Sequence, residues 1–126
     1  MKRILPVALL ALTLMGCTST NITNLTPSRE PRNVNGLYSF QMAWKSNQRS
    51  IRKDTIRPFV IVGMDVYPME PTPLVKNRWE TLIPVPAGKN VLNYRFKVDY
   101  EYDSIPIRRP DSKLSPPYQL EIMENR

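Results

Sequence analysis

Between Val91 and Asp103 apolar and polar residues alternate without a break, Leu92, Tyr94, Phe96, Val98, Tyr100 and Tyr102 against Asn93, Arg95, Lys97, Asp99, Glu101 and Asp103. A period of two puts each set on one face of a β-strand, so this stretch predicts a long strand with one buried face. At about 3.3 Å per residue it would run roughly 40 Å, which predicts a bend, a bulge or an end near Tyr100. The same alternation marks Leu37 to Trp44, with Tyr38, Phe40, Met42 and Trp44 on one side, and Trp79 to Val85, with Trp79, Thr81, Ile83 and Val85. Tyr118, Leu120 and Ile122 repeat it near the C-terminus. The contiguous run Phe59 to Val62 predicts a strand buried on both faces or capped by a neighbouring loop, and Val66 to Met69 a short one after a Gly63-Met64-Asp65 turn. Pro58 and Pro84 belong at strand starts or sheet edges, because proline has no N–H to give to a ladder. Pro86 to Asn90 turns the chain, and the strands on either side of it are expected to pair as an antiparallel hairpin.

Composition narrows the fold class. Thirteen Pro against four Gly break every helix-periodic window after the leader, and about six or seven strands separated by turn signals remain. The expected architecture is all-β, a single immunoglobulin-like two-sheet β-sandwich over residues 36–126. Residues 105–117, IPIRRPDSKLSPP, read as a Pro-rich basic connection within it.

The N-terminal segment is an address. Met1-Lys2-Arg3 is basic, about a dozen mostly apolar residues with Pro6 follow, and Leu14-Met15-Gly16-Cys17 ends the run. This is a signal-peptide pattern over residues 1–16, too short to span a bilayer comfortably. The Leu14–Cys17 segment closely resembles the lipobox of bacterial lipoproteins. That resemblance implies lipidation of the Cys17 thiol, with palmitate or a similar acyl chain, and cleavage just before it. Thr18 in place of Asp implies an outer-membrane address in the cell envelope. Residues 17–35 are polar apart from Ile22, Leu25 and Val34 and predict a flexible linker.

Chemistry is sparse. The chain has no His and one Cys, and it lacks a Gly-rich phosphate loop and a nucleophile elbow. No catalytic residue, metal or cofactor is expected, and the reading is non-enzymatic. Asp99, Glu101 and Asp103 share a strand face, but neighbours two apart lie about 6.6 Å from one another, so a solvated face paired with Arg95 and Lys97 is favoured over a Ca²⁺ site. Trp44 and Trp79 are the candidates for stacking on sugar rings. The run Trp79 to Asp99 resembles the latter half of starch- and glycogen-binding sandwich modules, which implies a glycan-binding surface module as the alternative function. Ile105, Ile107, Arg108 and Arg109 are the candidates for binding a partner protein or an anionic surface, since Arg beside apolar groups makes a good interface anchor.

The formal charge of +7 falls to +5 once Lys2 and Arg3 leave with the leader. Such a balance suits anionic neighbours. The envelope address argues against nucleic acid. The whole reads as a membrane-anchored envelope lipoprotein serving as a structural, assembly or protein-binding component, like small bacterial lipoproteins that carry one β-sandwich.

Overall fold

The computed structural model describes residues 19–124. The predicted signal peptide and Cys17 lie outside them. Ten strands form two sheets: β1 (Thr20–Asn24), β2 (Arg29–Pro31), β3 (Leu37–Ser46), β4 (Arg57–Val62), β5 (Asp65–Pro68), β6 (Glu70–Pro71), β7 (Arg78–Pro84), β8 (Val91–Tyr102), β9 (Arg109–Leu114) and β10 (Tyr118–Met123). One 3-10 turn, Lys53–Thr55, precedes β4. The first sheet has the order β1-β3-β7-β6 and the second β2-β10-β8-β4-β5, with β9 also on β8. This is the strand order of an immunoglobulin-like sandwich, with one sheet of four strands packed on a second built around β8.

Burial follows the alternation. Tyr38, Phe40, Met42 and Trp44 of β3 are buried and face Leu92, Tyr94, Phe96, Val98 and Tyr100 of β8. Rings interlock between the sheets: Phe40 meets Tyr94 edge-on at 4.8 Å between centroids, and Trp44 meets Tyr100 at 5.5 Å. Edge-on pairs of this kind add about 0.5–1.5 kcal/mol beyond their buried area. Burial pushes the Tyr94 phenol above its ordinary pKa, although its oxygen accepts a hydrogen bond from Asn24 Nδ2 at 2.9 Å.

Four expectations are corrected. The strands before and after Pro86–Asn90 are not a hairpin: β7 pairs with β3 and β6, while β8 pairs with β10, β9 and β4. Each has one apolar face, and placing them in opposite sheets turns Ile83 and Leu92 inward from two sides of the core. The linker expected over residues 17–35 is folded from Thr20 onward. β1 pairs with β3 in five registered steps, and β2 runs parallel to β10. β1 and β2 escape notice because an edge strand buries little, and Ile22 alone packs on the core from β1. The Pro-rich connection contains β9, all of it exposed. Finally, β4 buries one face only, Pro58 and Val60, while Phe59 and Ile61 stand half-buried opposite Lys97 and Arg95 of β8.

The long strand does not break at Tyr100. It continues to Tyr102, and the irregularity lies in its partner, where β9 and β10 form one interrupted strand. Lys97 pairs with Leu114 and Tyr94 with Tyr118, so four steps on one side answer three on the other, a bulge at Ser115–Pro117. The Gly63-Met64 loop joins β4 to β5 in two residues, with Gly63 at φ +60 as a first hairpin position of this type requires.

Candidate functional site

All the strand ends at one pole of the sandwich can be named from the registers. Thr20 pairs with Ser46, Ala43 with Arg78, Arg57 with Asp99 and Tyr102 with Arg109. The segments beyond these pairs therefore gather together: the chain entering at Ser19, the connection 47–56, the loop 72–77 and the β8–β9 loop 103–108. Backbone hydrogen bonds tie them. Asn47 N donates to Ser19 O at 3.0 Å, Ser19 N donates to Asn47 Oδ1 at 2.6 Å, and Asp103 N donates to Ser50 O at 2.8 Å. Ile51 forms an isolated bridge with Tyr102.

The candidates Ile105, Ile107, Arg108 and Arg109 all lie here and all are exposed, Ile105 at 95% and Ile107 at 68%. They form the tip of the β8–β9 hairpin. Two further apolar side chains share the pole, Leu74 in full solvent and Val75 at 43%. Leu74 is held at φ +64, a left-handed backbone that costs a residue with a Cβ about 1–2 kcal/mol. An open recess of about 570 Å³, lined among others by Lys45, Asn47, Arg49, Lys53 and Asn77, opens beside them. Neither the polar stretch 45–50 nor Leu74 stands out in the sequence. No local signal marks either, because the grouping arises only when strands of two sheets end together.

The tryptophans do not make a sugar platform. Trp44 is 4% exposed and sits in the core against Tyr100, and Trp79 is half-buried against the same core. Their position on the inward faces of β3 and β7 explains both, and the flat exposed ring that the glycan alternative needs is not formed by either.

The carboxylates are spent on local partners. Asp99 accepts from Ser112 Oγ at 2.7 Å and pairs with Lys97 at 3.5 Å, while Asp103 pairs with Arg52 at 3.6 Å. Asp111 accepts from the Tyr100 hydroxyl at 3.2 Å, and burial together with that neighbouring charge pushes the phenol up. Asp99, Glu101 and Asp111 line a shallow cleft of about 680 Å³ with Arg57 and Lys97. Among the described residues no group of three or more His, Cys, Asp or Glu side chains could hold a metal ion. Nor is any described helix long and apolar enough to cross a membrane.

The opposite pole is held differently. Arg32 donates to Glu124 Oε1 at 2.6 Å, to Asn90 Oδ1 at 2.7 Å and to Lys89 O at 3.2 Å, closing the end of β2 on the β7–β8 connection. Arg32 holds the Glu124 carboxyl below the usual range.

Comparison with known proteins adds little. No family model matches the chain, and no curated protein matches it in sequence. Among solved structures, that of murine CRIg is similar, with a TM-score of 0.42 and 13% identity over 84% of this chain and 99% of that one.

Proposed function

We propose that this chain is a lipid-anchored, non-enzymatic envelope protein whose immunoglobulin-like sandwich is held at a bacterial membrane to bind or assemble with an envelope protein. One observation carries the reading. The only Cys of the chain, in a lipobox-like Leu-Met-Gly-Cys, stands two residues before Ser19, the first described residue, whose backbone is hydrogen-bonded to Asn47. Acyl chains on Cys17 would act directly on the domain, and two or three of them hold a protein on a bilayer durably, each buried methylene contributing about 0.8 kcal/mol. Thr18 after Cys17 supports the outer membrane as destination. Restriction to a surface would raise the domain's effective concentration towards partners in the same membrane. The non-enzymatic part is supported by a chain without His and by Asp99 and Asp103 engaged with Ser112, Lys97 and Arg52.

Labelling of growing cells with tritiated palmitate tests the anchor. The wild-type chain should take up label and Cys17→Ala none. Equal label in both, or none in either, would overturn the reading. Crosslinking of the wild-type protein in its own membranes should then capture a stoichiometric protein partner.

A further inference from the structure

The pole at which Ser19 enters is chemically unlike the rest of the molecule. The connection after β3 contributes Arg49, Arg52 and Lys53. The loop before β7 adds Lys76, and the β8–β9 loop adds Arg108. Against these five cations the same segments hold two carboxylates, Asp54 and Asp103, both within ion-pair distance of Arg52, and Lys45 and Arg109 stand on the adjoining strand ends. The next carboxylates inward, Glu101 and Asp111, lie on the strands. At the other pole the turn 85–90 carries one cation, Lys89, and Arg32 is paired with Glu124. Ile105, Ile107 and Leu74 project from the cationic pole with nothing in the fold over them, whereas Val34 and Met64, exposed at the other pole, have no such cluster of cations around them.

We propose that this pole is a docking face for an anionic lipid bilayer, with Ile105, Ile107 and Leu74 entering the headgroup layer and the surrounding Lys and Arg side chains meeting lipid phosphates. The proposal rests on lipidation of Cys17, because that is what points this pole at a membrane. One residue, Thr18, separates Cys17 from Ser19, and a chain covers at most about 7 Å in two steps. An acyl anchor at Cys17 therefore holds Ser19 within roughly one Debye length of the headgroups, which is about 8 Å at physiological ionic strength. Cations at that distance feel an anionic surface strongly, and those at the far end of a strand some 40 Å long do not. Apolar side chains flanked by cations are the composition that seats a protein surface in the interface of a bilayer. Because β1 is paired along β3, the anchor fixes how the domain is presented, whereas a flexible linker over residues 17–35 would leave it free to tumble.

The test uses the full chain, purified from membranes, with acylation read from its intact mass. Acylation occupies the only native thiol, so Ser104→Cys or Lys89→Cys introduces a single labelling site at either pole. Each labelled protein is reconstituted into vesicles of phosphatidylcholine with about 30% phosphatidylglycerol, or of phosphatidylcholine alone. Iodide quenching of the label should be at least about threefold weaker at position 104 than at 89 in anionic vesicles. The gap should narrow in neutral vesicles or in 1 M salt, where charges more than about 3 Å apart are screened. Combining Ile105→Asp, Ile107→Asp, Arg108→Gln and Arg109→Gln, all at exposed positions, should restore quenching at 104 while the acyl mass stays. Equal quenching at both poles of an acylated protein overturns the docking face and leaves the anchor standing. Absence of the acyl mass overturns the anchor and the docking face with it. A label at 104 that is open to iodide in vesicles but shielded in native membranes assigns the pole to a protein and overturns the lipid proposal.

Discussion

At Ser115 a side-chain hydroxyl does the work of a strand carbonyl. Where the bulge carries the ladder out of register, Phe96 N donates to Ser115 Oγ at 2.8 Å, and the same hydroxyl donates to Pro116 O at 2.9 Å. Ser115 is buried, so no water replaces the bond. Ser115→Ala should destabilise the fold by about 1–3 kcal/mol, the cost of a buried N–H left without a partner. A lower midpoint with an unchanged slope in urea unfolding is the expected signature. Tyr94 gives the companion case. Its phenol titrates above its ordinary value because it is buried, so as pH rises the unfolded chain loses this proton first. Stability is complete below about pH 10 and declines as pH climbs through that range, until the folded phenol ionises as well. Tyr94→Phe removes the bond from Asn24 at a cost of about 0.5–1.5 kcal/mol near neutrality. It should also flatten the alkaline limb of the stability profile. A wild-type limb no steeper than the variant's would show that Tyr94 does not carry the effect.

Among the elements, β9 behaves as an open edge kept from pairing with other chains. Its six residues are exposed, and it carries Pro110, Asp111 and Lys113, which spoil the edge as a template. Pro110→Val with Lys113→Val should leave the monomer fold intact and yield concentration-dependent association, visible in sedimentation velocity. The same strand shows where sequence patterns stop being informative. β3, β7, β8 and β10 were legible because each has a buried face that imposes a period of two. β9, β1 and β2 were not, because backbone pairing at an edge asks for little from side chains, and Pro110 read locally as a breaker. Sheet membership was illegible for a different reason. β7 and β8 have the alternation of a hairpin, and only the competition of β3 for β7 and of β4 and β10 for β8 separates them. For the candidate site, Ile105, Ile107, Arg108 and Arg109 were legible as an exposed apolar and basic tip. Lys45, Arg49 and Leu74 were not, since they share a pole with that tip only through registers running across both sheets.

For the molecule as a whole, the placement of charge matters more than its sum. A basic balance spread evenly would chiefly serve solubility, whereas cations collected at one pole create a directional field that is strong on one side and weak on the other. That polarity and the entry point of the chain coincide at Ser19. The first strand adds a mechanical consequence. β1 lies antiparallel along β3 through five registered pairs, with its N-terminal end at the pole where the chain enters. Its ladder bonds run across the strands, so a pull on the chain before Thr20, directed out of that pole, loads them together in shear instead of opening them one by one. A domain hung from its first residues in this way resists being peeled apart by whatever tugs on its far end, and the tether transmits load into the sandwich without needing a stiff linker.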